Sequence, residues 1–141
     1  MTIQPTLYQT SATATGEGRN GRSRTVDGQL DVALAVPKEL GGAGGATNPE
    51  QLFATGYAAC FHSALKLVAR QAGVDLTDSA VTVDVGLVKH LPAGYRLQVA
   101  IEAELPGVPE DAARQLIAAA HQVCPYSAAI EGNVEVALSL A

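Results

Sequence analysis

A chain of 141 residues has the length of one domain, and its 48% hydrophobic and 16% charged residues exclude a disordered or fibrous protein. Fourteen acidic and nine basic residues give a net charge of −5, and the basic residues are scattered along the chain. Nucleic acid is therefore not an expected partner, because no basic stripe faces a phosphate backbone. We expect a single domain over residues 1–141.

The N-terminal sequence, MTIQPTLYQT, has no basic stretch followed by an apolar run. We therefore expect no signal peptide and a cytoplasmic protein. The most apolar segment, residues 52–69, contains His62 and Lys66, which argues against a membrane span of about 20 apolar residues.

The N-terminal part of the chain predicts an antiparallel meander. Residues 6–15 are rich in small and β-branched side chains and predict a strand, followed by a glycine-rich turn that carries Arg19. Residues 23–26 predict a second strand, and an Asp-Gly pair then marks a hairpin. Alternating apolar side chains in residues 30–36 predict a third strand.

A glycine-rich loop, GGAGGATNPE, precedes a long helix. Asn48 is suited to cap the helix, Pro49 to occupy its first position and Glu50 to lie in its first turn. The helix is apolar nearly all round, with one polar stripe at His62, Lys66 and Arg70.

A surface helix normally has a polar half, so this helix is expected to be surrounded on most sides. A sheet or a second subunit would supply those surroundings. We therefore expect a homodimer.

The C-terminal part predicts a second hairpin, from residues 80–88 and 96–105. A second helix begins at Pro109 and ends before Pro125, so that Cys124 is expected in its last turn. Alternating apolar side chains in residues 134–140 predict a final strand. Strands on both sides of the helices predict an α+β fold.

The two cysteines are too few for a disulfide scaffold and too far apart for a CxxC motif. Cys60 has small neighbours that leave space beside its sulfur, but a free cysteine is commonly just a buried residue. The same interpretation applies to Cys124, which precedes Pro125. Their joint placement on or beside helices favours a redox pair.

The histidines and the glycine-rich loop have structural explanations that need no metal or nucleotide. His121 and Cys124 lie three residues apart, but two ligands do not make a zinc site, so we expect no metal. His62 is expected in the solvated stripe, and His121 at a helix C-terminus where it favours the dipole. The glycine-rich loop does not match a phosphate-binding or dinucleotide-binding motif.

Three segments together resemble the organic hydroperoxide resistance family, within the osmotically inducible protein C (OsmC) superfamily. The segments are GRNG around Arg19, ELGGAGGATNPEQLFATGYAACF through Cys60, and HQVCPYS around Cys124. The resemblance covers most of the chain. It implies an OsmC-like intertwined homodimer, with antiparallel sheets wrapped around central helices and active sites at the subunit interface.

The resemblance also implies a thiol peroxidase that reduces organic hydroperoxides to alcohols. By motif, Cys60 matches the peroxidatic cysteine and Cys124 the resolving cysteine. Arg19 matches the arginine that stabilises the thiolate and the peroxide, and Glu50 the acidic residue that orients this arginine. Such enzymes are typically reduced by dihydrolipoyl groups, so we expect a lipoylated protein or dihydrolipoamide as reductant and no bound cofactor or metal.

The spacing of these residues sets a geometric condition. On an unbroken helix Glu50 and Cys60 lie about 15 Å apart along the axis. We therefore expect either a break near Gly56 or an extended Arg19 side chain along the first turns.

The residues near the cysteines predict an apolar substrate pocket. Phe53, Phe61 and Tyr126 are expected to line it, together with small alanines. Alkyl or lipid hydroperoxides are then expected to be better substrates than hydrogen peroxide.

Three alternatives remain from the sequence. The protein is an OsmC relative with broader peroxide use, or a non-enzymatic dimer that binds apolar ligands and merely buries its cysteines. A thiol redox sensor is disfavoured, because no DNA-reading element accompanies the cysteines.

Overall fold

The computed structural model describes residues 4–141, so residues 1–3 of the predicted single domain lie outside the described residues. The chain divides into two compact units, one ending at Pro49 and one spanning Glu50–Ala141. The single domain stays a prediction. Across the described residues the fold is α+β, with two β-sheets and three α-helices, which confirms the predicted class.

The unit that ends at Pro49 contains one antiparallel sheet, whose strands follow chain order: β1 (Ala12–Thr15), β2 (Arg22–Thr25) and β3 (Asp31–Ala33). The predicted meander is confirmed. The first strand is shorter than residues 6–15, because β2 has only four residues and pairing stops where Ala12 meets Thr25.

Arg19 lies in a short 3-10 turn, Gly18–Asn20, between β1 and β2. Gly16 has a φ of +78°, a backbone conformation that residues with a side chain rarely adopt. A Cβ atom on Gly21 would lie 2.1 Å from the carbonyl oxygen of Thr15. The glycines predicted to form a turn are therefore required by the backbone that presents Arg19.

The unit Glu50–Ala141 contains nearly all of helix α1, which begins at Pro49, and a three-stranded sheet with two further helices. In chain order its elements are α1 (Pro49–Gln71), β4 (Ala80–Lys89), β5 (Tyr95–Glu104), α2 (Glu110–Val123), α3 (Pro125–Ile130) and β6 (Val136–Leu140). The start of α1 at Pro49, the hairpin of β4 and β5, and α2 are confirmed.

The last strand departs from the predicted antiparallel sheets. β6 pairs with β5 in parallel, with Val99 opposite Val136 and Ala103 opposite Leu140. A parallel return needs a crossover, and α2 with α3 supplies it. The strand also begins at Val136, two residues later than predicted.

The inner face of α1 carries the core of this unit. Tyr57, Phe61 and Leu65 recur at helical spacing and have no exposed surface. They belong to one cluster with buried side chains of β5 and α2, among them Ile101 and Ile117.

The outer face of α1 is broader than the predicted polar stripe. Lys66 and Arg70 are exposed as expected, and so are Ser63 and Leu67. His62 does not belong to a solvated stripe, because its Nε2 atom lies 2.9 Å from Ser79 Oγ in a partly buried contact.

By length and composition α1 is able to cross a membrane. Core helices of other proteins meet the same criteria, and the inner face of α1 is packed against the rest of its unit. The absence of a membrane partner stays a prediction.

Candidate active site

Cys60 and Cys124 lie side by side. Cys60 is half-buried on α1, Cys124 is fully buried, and the Cys124 thiol donates a hydrogen bond to Cys60 Sγ across 3.7 Å. A disulfide bond is about 2.05 Å long, so about 1.7 Å of further approach would join the sulfurs. Two thiols at this separation are suited to reversible disulfide chemistry.

Cys124 sits between two helices. It follows α2 instead of lying in its last turn, with φ −70° and ψ 122°, as expected of a residue before proline. Its N–H donates to Ala120 at the end of α2, and its carbonyl accepts from Ala128 in α3. Pro125 was predicted only to end a helix, but proline also favours the first position of the next one.

Tyr126 approaches Cys60 through its backbone. Burial raises the pKa of the Cys60 thiol above its usual value, and a hydrogen bond from the backbone N–H of Tyr126 opposes this increase. The unit Glu50–Ala141 thus favours the protonated thiol, whereas nucleophilic attack requires the thiolate.

An aromatic cluster lies beside the cysteines. Phe53, Tyr57 and Tyr126 are in mutual ring contact, with centroids 5.5 to 6.0 Å apart. Phe61, predicted to line the same pocket, has no exposed surface and is a core residue. Of the three residues predicted to line the substrate pocket, Phe53 and Tyr126 therefore remain candidates.

Gly56 does not break α1, which is a continuous helix from Pro49 to Gln71, so the first of the two expected arrangements, a break near Gly56, is wrong. A Cβ atom on Gly56 would lie 2.6 Å from Tyr126 Oη. The residue is glycine because the Tyr126 ring packs on the helix there.

A chain of three polar side chains adjoins the cysteines. Ser127 Oγ lies 2.6 Å from Tyr57 Oη and 2.9 Å from His121 Nδ1. Burial also raises the pKa of Tyr57. This chain of contacts was not predicted from the sequence; its signal was the spacing of polar residues around Cys124 in HQVCPYS.

Arg19 and Glu50 lie in different compact units. Arg19 is half-buried in its 3-10 turn, and Glu50 is half-buried in the first turn of α1. Because α1 is uninterrupted at Gly56, the first turn that holds Glu50 is separated from Cys60 by more than two helical turns.

Among residues 4–141, no three histidine, cysteine or acidic side chains come together in a way suited to a metal ion. His121 bonds Ser127 and does not combine with Cys124 into a ligand set. Both cysteines are free thiols.

The family model for OsmC-like proteins matches residues 42–139 of the chain. The organic hydroperoxide resistance protein of Xanthomonas axonopodis pv. citri (strain 306) is 48% identical over 137 residues, which cover 96% of this chain and 95% of that protein. The chain belongs to the organic hydroperoxide resistance family of OsmC-like proteins.

Solved structures of this family share the fold. The organic hydroperoxide resistance protein OsmC from Legionella pneumophila is 52% identical, with a TM-score of 0.93 and coverage of 97% of this chain and 99% of that one. OhrB of Bacillus subtilis is 39% identical, with a TM-score of 0.88 and coverage of 96% and 100%. The family resemblance of the sequence is therefore confirmed.

Proposed function

We propose that this protein is a thiol peroxidase that reduces organic hydroperoxides to alcohols. The observation that carries the proposal is the 3.7 Å separation of the Cys60 and Cys124 sulfurs, in a chain of the organic hydroperoxide resistance family. The relatives' names refer to organic hydroperoxides, and a vicinal thiol pair is suited to peroxide reduction.

In the first step the Cys60 thiolate attacks the terminal oxygen of the hydroperoxide. A sulfur–oxygen bond forms and the oxygen–oxygen bond breaks, so that sulfur is oxidised to sulfenic acid and the alkoxide leaves. The alkoxide takes a proton and becomes the alcohol. Negative charge moves from sulfur to oxygen, and a fixed cation stabilises both ends.

Arg19 is the residue we assign to supply that cation. The local surroundings of Cys60 raise its thiol pKa, so an added positive charge is needed for a thiolate at neutral pH. A guanidinium stays charged and offers a planar fork of donors for thiolate and peroxide. Glu50 would orient the fork through a paired carboxylate.

In the second step the Cys124 thiol condenses with the sulfenic acid. A sulfur–sulfur bond forms, the sulfur–oxygen bond of Cys60 breaks, and the oxygen leaves as water with the thiol proton. An external dithiol, dihydrolipoamide or a dihydrolipoyl group on a protein, then reduces the disulfide by exchange. No bound cofactor is needed.

The substrate class follows from the aromatic side chains near Cys60. Phe53 and Tyr126 offer apolar surface to an alkyl or lipid chain, whereas hydrogen peroxide has no apolar part to bury. We expect bulky organic hydroperoxides to be preferred.

The assembly and the location belong to the same proposal. The exposed Leu67 on the outer face of α1 supports a homodimer in which this helix packs on a second copy. We expect the protein in the cytoplasm, where lipoylated proteins and reducing conditions would sustain the cycle.

The proposal is tested by hydroperoxide consumption with dihydrolipoamide as the only reductant. The wild type is expected to turn over, with a larger kcat/KM for a tertiary alkyl hydroperoxide than for hydrogen peroxide. Cys60→Ser should abolish consumption, because no sulfur remains at that position to accept oxygen. Cys124→Ser should stop turnover after one oxidation of Cys60.

Other results would favour the alternatives. Unchanged affinity for apolar ligands in Cys60→Ser, with no peroxide consumption by the wild type, would indicate a non-enzymatic binder. Equal kcat/KM for both peroxides, and equal turnover with thioredoxin and dihydrolipoamide, would indicate a broader OsmC-type peroxidase.

A further inference from the structure

Ser127 is the centre of a buried polar bridge. The side chain is 3% exposed, and its Oγ atom is within hydrogen-bond distance of Tyr57 Oη at 2.6 Å and His121 Nδ1 at 2.9 Å. A serine hydroxyl has one donor and two acceptor lone pairs, enough to hydrogen-bond both partners at once. The three groups form one continuous hydrogen-bonded chain.

The residues of the bridge lie on the three helices that carry or flank the two cysteines. Tyr57 lies on α1 three residues before Cys60, and His121 lies on α2 three residues before Cys124. Ser127 lies on α3 three residues after Cys124. One serine hydroxyl thus joins the helix that carries Cys60 to both helices that flank Cys124.

The backbone at Cys124 needs such an anchor. Cys124 is extended between two helices, so a rotation at this residue would move its sulfur without breaking either helix. The helix that follows, α3, has six residues and is too short to be stable without tertiary contacts. Ser127 is the buried residue of that helix.

We propose that Ser127, held between Tyr57 and His121, is a positioning residue that keeps the Cys124 sulfur within reach of oxidised Cys60. This inference rests on the proposed function. The bridge governs the second step, in which the sulfur–sulfur bond forms and the sulfenic oxygen leaves as water. It does not govern attack on the peroxide.

The position of Cys124 matters because disulfide formation competes with further oxidation of Cys60. A sulfenic acid that waits for its partner thiol is oxidised by a second peroxide to sulfinic acid. A displaced Cys124 would therefore change the products formed at Cys60 from disulfide toward sulfinic acid.

The experiment is a single-turnover reaction of the reduced protein with a tertiary alkyl hydroperoxide, quenched with acid and analysed by intact mass. Ser127→Ala should slow disulfide formation about tenfold, the effect of losing about one net hydrogen bond. Sulfenic acid formation should stay within about twofold of the wild type, and excess peroxide should give more sulfinic acid.

Two further variants separate the bridge from general destabilisation. Tyr57→Phe should slow disulfide formation when it is introduced into the wild-type protein. It should add little to the effect of Ser127→Ala, because that variant has already lost the bridge. Ser79→Ala is the matched control: it removes a serine–histidine contact of 2.9 Å, with His62, away from Cys124. It should leave both steps unchanged.

The inference is overturned if folded Ser127→Ala forms the disulfide at the wild-type rate, or if both steps slow equally. If Ser127→Ala does not fold, Tyr57→Phe carries the same test alone. A wild type that forms no sulfenic acid would instead reject the proposed function.

Discussion

Gly56 shows how a missing Cβ atom contributes to the candidate site. Glycine inside a helix costs about 1 kcal/mol relative to alanine. At this position the added atom would lie 2.6 Å from Tyr126 Oη and 3.2 Å from Tyr126 Cζ. The absence of a side chain lets the Tyr126 ring pack on α1 while its backbone N–H bonds Cys60.

Gly56→Ala is therefore expected to lower the free energy of unfolding by about 1 kcal/mol, since overpacking outweighs the gain in helix propensity. Removing the hydroxyl with Tyr126→Phe should reduce this loss, because the nearest clashing atom is then absent. Urea unfolding of the two single variants and the double variant measures the difference. A stabilising Gly56→Ala in the wild-type background would contradict the packing argument.

At the scale of elements, the two faces of α1 differ in what covers them. The inner face belongs to the core, whereas Ser63 and Leu67 on the outer face are exposed, Leu67 at 42%. An exposed leucine on a long helix is suited to pack on another apolar surface. A second copy of the chain is the partner that we propose.

Leu67→Glu is expected to shift the protein from dimer to monomer, because a charge would be buried without a partner in such an interface. Sedimentation equilibrium measures the shift. Leu91→Glu introduces the same charge at a leucine that is 81% exposed on a hairpin turn, and should leave the assembly unchanged. A wild-type monomer, or an unaffected dimer in Leu67→Glu, would reject α1 as the interface.

Elements with strong local signals were predictable from the sequence. Pro49 marks the start of α1, and the alternation in β4 and β5 predicted their hairpin. α3 was missed because Pro125 ends one helix and begins another. The parallel pairing of β6 depends on the path of α2 and α3, which strand periodicity does not contain.

In the candidate site, too, features with a local sequence signal were predictable and features that depend on tertiary packing were not. The motifs around Cys60 and Cys124 identified both cysteines, which the fold then brings to 3.7 Å. A break near Gly56 was one of two arrangements that the spacing of Glu50 and Cys60 allowed, whereas the contact of Gly56 with Tyr126 is tertiary and has no local signal. The direction of the pKa shift of Cys60 depends on burial, which no motif gives.

At the scale of the whole molecule, the proposed mechanism draws on both compact units. Cys60 and Cys124 belong to the unit Glu50–Ala141, which buries Cys60 and raises its thiol pKa. Arg19 belongs to the unit that ends at Pro49. We propose that the guanidinium of Arg19 supplies the charge that ionises the Cys60 sulfur.

The titration of Cys60 tests this assignment most directly. In a Cys124→Ser background, the rate of Cys60 alkylation is measured against pH with Arg19 present and with Arg19→Gln. Arg22→Gln is the control, since it removes a nearby arginine that is paired with Asp31 at 2.7 Å.

We predict that Cys60 ionises below neutral pH with Arg19 or with Arg22→Gln. With Arg19→Gln its pKa should rise above the value of about 8.5 for an ordinary thiol, because burial is then unopposed by the guanidinium. A Cys60 that titrates above that value in every variant, with no response to Arg19, would contradict the account.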